Sequence, residues 1–175
     1  MLVALFLILN LASGETTQPQ IAFFERIQAL CGTRFEGWST FPEDPGDAFR
    51  DKRLVAVIET CDEQVIRIPF RVGDDTSRTW ILTRVTGGLE LKHDHRHPDG
   101  TPDDVTMYGG TSATPGTGLS QSFPADDHTA GLIPEAKTNE WFLSLSEDGS
   151  ELTYYLERHG EPRFRAVLSR IPESD

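Results

Sequence analysis

The chain has 175 residues, with 28 acidic against 16 basic side chains, a net charge of −12 and two cysteines. A surface this acidic repels a phosphate backbone on average, which makes nucleic acid and anionic membrane surfaces poor partners. The length fits one domain around a single core.

Residues 1–14, MLVALFLILNLASG, are almost wholly apolar, carry no charged side chain and end in Ala12 and Gly14, small residues at the spacing signal peptidase reads. They read as a secretory signal peptide. A transmembrane helix is the alternative, but spanning takes roughly 20 residues and the run is shorter. No later segment is long or apolar enough, so no stable membrane insertion is expected after processing. The address is therefore extracytoplasmic, periplasmic or secreted. An oxidising compartment favours a disulfide between Cys31 and Cys61, with two separate buried thiols as the alternative.

Residues 15–31 read as a polar leader and a short amphipathic helix. Ile21, Phe24, Ile27, Gln28 and Cys31 fall at helical intervals, and Gly32 stops the run. Residues 32–172 read as one β-domain. Strands are expected over 54–61 and 65–72, where Pro69 points to an edge or a bulge. Further strands are expected over 78–86 and 89–97, joined by a two-residue turn at Gly87-Gly88. That turn sets Leu82 opposite His93, Trp80 opposite His95 and Arg78 opposite His97. Short strands follow over 105–108 and 119–123, an irregular excursion over 124–137, and strands over 140–145, 152–158 and 163–171. About eight or nine strands with short turns and no alternating helices predict an all-β antiparallel barrel or sandwich.

The chemistry concentrates on His93, His95 and His97, which continue the alternation of Leu89 and Leu91 and so share the core-facing side of their strand. Glu90, Lys92, Asp94 and Arg96 occupy the other side, a solvated pattern. Imidazoles at alternate positions stand about 6.5–7 Å apart, so two converge on one divalent transition ion more easily than three. His128 is the candidate further ligand from a facing element. The competing expectation is a rim of hydrogen-bonded histidines lining a pocket. Trp80 and Tyr108 could line such a pocket. Arg78 and Arg84 share its face, so a carboxylate-bearing ligand is conceivable. The Asp-rich loop at 99–104 lacks the spacing of a calcium loop, and no Gly-x-Ser-x-Gly frame marks a nucleophile.

The short helix, the run Leu30-Cys31-Gly32-Thr33 with Gly37-Trp38, the meandering hairpins and Arg170 in the last strand together resemble a calycin of the lipocalin type. The resemblance implies an up-and-down barrel with an internal cavity. Arg34 stands where such barrels carry a tryptophan. The runs Ile66 to Phe70, Lys92 to His97 and Val105 to Gly110 are also similar to secreted bacterial proteins of uncharacterised function. Gly87 followed by His93-x-His95 is similar to the opening of a cupin motif, with Asp99 in place of its Glu. Gly118 and Pro124 keep the spacing of the second motif, with Asp126 in place of a Gly. This resemblance implies a metal held by His93, His95 and His128.

The leading expectation is a calycin-like barrel that binds a small molecule in a pocket bearing the histidine row. Two alternatives stay open: a metal-dependent enzyme on the same scaffold, and an envelope interaction protein without a pocket. The ligand and the oligomeric state have no signal in the sequence.

Overall fold

The computed structural model describes residues 16–42 and 47–172; the proposed signal peptide, residues 1–14, lies outside them. Helix α1 spans Gln18–Gln28 and starts before the first apolar residue of the helical pattern. Its start is fixed by a cap: Thr17 N–H donates to Gln20 Oε1 at 2.8 Å, satisfying a donor the helix leaves orphaned. Phe23, Phe24 and Ile27 are fully buried, each contributing about 1.5–3 kcal/mol of apolar burial. No helix of the described residues is long and apolar enough to cross a membrane.

The strands are β1 (Arg34–Phe41), β2 (Leu54–Val57), β3 (Thr60–Cys61), β4 (Val65–Val72), β5 (Asp75–Val85), β6 (Gly88–His95), β7 (Tyr108–Thr111), β8 (Ser120–Pro124), β9 (Asn139–Leu145), β10 (Glu151–Arg158) and β11 (Glu161–Arg170). Ten of them run in the order β7-β6-β5-β4-β2-β1-β11-β10-β9-β8, and β3 pairs separately with β4. Every pairing is antiparallel. The result is a nearly closed antiparallel barrel with more strands than the eight or nine expected.

The extra strand is β1, whose inward positions Phe35, Gly37 and Ser39 include one large apolar residue while Trp38 faces outward, 55% exposed. Such a strand shows no period of two in hydrophobicity. The run expected over 54–61 splits because Ile58 N–H turns to Thr33 O and Glu59 N–H to Arg67 O. Pro69 lies inside β4, opposite Thr79 of β5, and its missing N–H faces the gap between the partners β2 and β3.

The two ends of the ten-strand order, β7 and β8, meet closely. A Cβ on Gly110 would stand 1.8 Å from Pro124 O, so only glycine permits the approach. The excursion over 124–137 contains helix α2 (Asp127–Leu132) and a 3₁₀ turn (Pro134–Ala136), with Asp126 Oδ1 accepting from Thr129 N–H at 2.8 Å as the N-cap. Buried Thr129 then substitutes for a ladder residue across the seam. Its Oγ1 accepts from Gly109 N–H at 2.7 Å and donates to Gly109 O at 2.8 Å. At the other end of the seam Gln20 of α1 reaches Ser112 Oγ at 3.3 Å, and Ser112 donates to Gln121 Oε1 at 3.0 Å.

Helix α1 thus closes one end of the barrel, and the Cys31–Cys61 disulfide ties its exit to β3. Closing that loop of 30 residues stabilises the fold by about 3–4 kcal/mol in the chain-entropy account. The outer side of β6 is not solvated as its charge pattern predicts. Lys92 (9% exposed) pairs with Asp126 at the cap of α2, and Asp94 (5% exposed) accepts from Arg96 and Thr106 of the following loop. These ion pairs hold the loop and α2 against the strand.

Replacing Thr129 with Val removes both seam hydrogen bonds at constant shape and leaves a buried N–H unsatisfied. The expected loss is about 2 kcal/mol in urea unfolding, with Thr129→Ser losing clearly less. Equal stability of Thr129→Val and the parent protein would contradict this account of closure.

Candidate functional site

The β5–β6 hairpin turns at Thr86-Gly87, with Val85 opposite Gly88, instead of at Gly87-Gly88. Pairing therefore slips by two residues from the expected register. Trp80 stands opposite His93 and Arg78 opposite His95, while Leu82 faces Leu91. A slip of two preserves the face, so His93 and His95 still point inward. His97 lies beyond the end of β6 and is exposed, in a turn where its backbone pairs with Thr101 and Gly100. His128 is exposed on α2. The row thus contributes two inward imidazoles, not three.

A cavity of about 530 Å³ occupies the barrel end opposite α1. Its walls include Phe70, Trp80, His93, Trp141 and Tyr154, and Phe49 and Phe164 stand nearer the mouth with Tyr108 and His95. Trp80 is stacked between Phe70 and Tyr154, with centroids 4.4 and 4.6 Å away. Phe49 and Phe164 meet at 4.9 Å, and Tyr108 stacks on His93 at 4.7 Å. Three arginines line the cavity, Arg78, Arg158 and Arg163, against one acid, Asp47. Arg158 Nε donates to Asn139 Oδ1 at 2.8 Å. Asp47 Oδ2 is buried with no hydrogen-bond partner among the described residues. Arg84 shares the inward face but sits at the closed end, its guanidinium 4.3 Å from the Phe24 ring centroid of α1.

His93, 4% exposed, is fixed at both ring nitrogens. Nδ1 lies 3.1 Å from Tyr108 O, an atom that only accepts, so Nδ1 carries the proton. Nε2 therefore accepts from the Tyr154 hydroxyl at 2.8 Å, and the Trp141 ring packs beside the imidazole with centroids 5.3 Å apart. Burial drives the His93 pKa down to about 3, and the charges of His95 and Lys92 push the same way against the hydrogen bond to Tyr108. The imidazole is neutral at physiological pH. Burial likewise holds the Tyr154 hydroxyl protonated, well above its usual range.

The second pair is nearer the mouth. The Tyr108 hydroxyl and His95 Nε2 lie 3.0 Å apart, with the Tyr108 pKa raised by burial to about 12. Half-buried His95 is lowered by burial first and by the Arg78 charge second, against the raising influence of Asp103, Asp75 and Asp94. For metal chemistry the arrangement is restrictive. His93 can offer a lone pair only by releasing Tyr154. Among the described residues no three His, Cys, Asp or Glu side chains gather to hold an ion.

Of the expected pocket residues, Trp80, Arg78 and Tyr108 line the cavity together with His93 and His95. Trp141 and Tyr154 went unremarked, although alternation with Leu143 and Leu152 marks both as inward. Phe49 and Asp47 come from a connection with no period.

Acid stability tests the neutral imidazole. An unfolded histidine takes a proton near pH 6.5 whereas His93 resists it until about pH 3, so the unfolded state binds more protons across that window. Stability should therefore fall on acidification from pH 6.5 by roughly 1.4 kcal/mol per unit from this group, in addition to other titrating side chains. His93→Gln should flatten that slope. A His93 ring whose NMR shifts titrate with a midpoint near 6.5 would contradict the network.

Comparison of the chain with protein families, curated proteins and solved structures finds no match.

Proposed function

We propose that this protein is an extracytoplasmic barrel that binds a small molecule in the cavity opposite α1. The observation that carries the reading is the cavity itself: about 530 Å³, walled by aromatic side chains and edged by a few fixed polar groups. Sites of roughly 300–1,000 Å³ with an apolar wall and convergent polar groups are the usual form of small-molecule sites. An up-and-down order of strands with one end closed by a helix supports the calycin resemblance, in which the barrel interior holds the guest. The disulfide and the charge of −12 support an oxidising, extracellular or periplasmic setting.

The hydrogen-bonded core of the site has a consequence for binding. His93 and Tyr154 satisfy one another, so they present ring surfaces to a guest at little desolvation cost. Polar selection falls to the mouth, where His95, Tyr108 and the arginines lie.

A neutral aromatic probe, N-phenyl-1-naphthylamine, should bind at one saturable site with Kd on the order of 10 µM, read by its fluorescence. Ala48→Trp, at the exposed lip of the cavity, should weaken binding at least tenfold without loss of fold. No saturable binding, or binding indifferent to Ala48→Trp, would contradict the proposal.

A further inference from the structure

We propose that the guest is a planar aromatic carboxylate, its acid group taken at the corner formed by Arg78, Tyr108 and His95 and its ring laid against the aromatic walls. This rests on the cavity-binding reading above and names the ligand class for it.

The charge distribution is the first argument. The chain as a whole carries −12, yet the cavity collects three arginines and one aspartate. With Asp75 offsetting Arg78 and Asp47 a second arginine, the lining keeps a positive excess in a chain of net charge −12, and such a local excess favours an anion.

Geometry at the corner is the second. Arg78 and His95 are direct cross-strand partners on the inward face, so their side chains start about 5 Å apart. Tyr108 Oη is already 3.0 Å from His95 Nε2, and the Arg78 charge acts on both groups. Asp75 holds Arg78 through Nη1, and Phe49 lies under its guanidinium at 5.5 Å from the ring centroid. Those two contacts fix the orientation of the fork. Among the described residues nothing accepts from its other N–H groups, which are the donors a carboxylate needs. When an anion arrives, His95 Nε2–H can donate to Tyr108 Oη while the Tyr108 hydroxyl donates to the anion. The pair thus supplies a further donor by changing tautomer, with no movement of the rings.

The remaining walls select shape and exclude a second acid. Phe70, Trp80, Tyr154 and Phe164 present rings, which favour a flat conjugated guest over a flexible chain of equal size. Asp47, with one buried oxygen unpartnered, disfavours a second negative group and suits a ligand hydroxyl or N–H.

The test is calorimetry on the full mature chain with 2-naphthylacetate, 2-naphthylacetamide and decanoate, with N-phenyl-1-naphthylamine as the control for an intact cavity. The acid should bind at least tenfold more tightly than its amide, and more tightly than decanoate. Arg78→Gln should abolish the preference for the acid while leaving the control probe bound. Tyr108→Phe, which keeps the ring, should reduce that preference and serves if Arg78→Gln does not fold. Amide binding equal to acid binding would overturn the anion assignment with the cavity reading intact, and decanoate binding as tightly as the naphthyl acid would overturn the planar assignment. Preference surviving Arg78→Gln but lost in Arg158→Gln would overturn the corner. Failure of every probe, the neutral control included, would instead remove the cavity reading itself.

Discussion

The structure depends on one buried imidazole. His93 of β6 and Tyr154 of β10 are joined at 2.8 Å through the barrel interior, although β7, β8 and β9 stand between their strands in the sheet order. That path includes the seam between β7 and β8. A hydrogen bond inside the barrel therefore braces the wall where the backbone ladder is interrupted. Burial keeps the imidazole neutral, so Nε2 accepts from the tyrosine hydroxyl in this bond. Breaking the pair would leave two buried polar groups unsatisfied, each costing about 1–3 kcal/mol, which is a large fraction of a domain's net stability.

From this brace follows a division of the barrel into two halves. Toward α1 the interior is packed by Phe23, Phe24, Ile27, Leu89 and Leu91, and the arginine that falls there, Arg84, lies over Phe24. Toward the other end large rings replace aliphatic side chains. Phe70, Trp80 and Tyr154 stack into one continuous wall that borders the cavity. The same inward face of β5 therefore carries Arg84 as part of a plug and Arg78 as part of a mouth. On the outer face, Lys92 with Asp126 and Asp94 with Arg96 hold α2 and the β6–β7 loop near that mouth.

Much of this was legible in the residues and some was not. The all-β class, the helix at the start, the disulfide and the inward parity of His93 and His95 follow from periodicity and from cysteine usage. The hairpin register did not, because Thr86-Gly87 and Gly87-Gly88 are both sound two-residue turns and neither alters which face the side chains occupy. Strand β1 was hidden by Gly37 at an inward position and Trp38 at an outward one. The solvated reading of Lys92 and Asp94 failed because a charge is silent about its partner, and Asp126 lies 34 residues away from Lys92. In the site itself the rings of β5 and β6 were found by face. Tyr154 and Trp141 were not singled out, since only the closed sheet order brings β10 opposite β6. His97 was misplaced because alternation carries no mark of where a strand ends.

The most direct test uses the three tryptophans of the chain. Trp80 and Trp141 line the cavity, whereas Trp38 lies on the outside of β1. In a nitrogen–proton NMR titration with 2-naphthylacetate the indole signals of Trp80 and Trp141 should move together and saturate, with Trp38 unmoved. A shift confined to Trp38, or three signals that stay in place while the probe binds, would contradict a guest held inside the barrel.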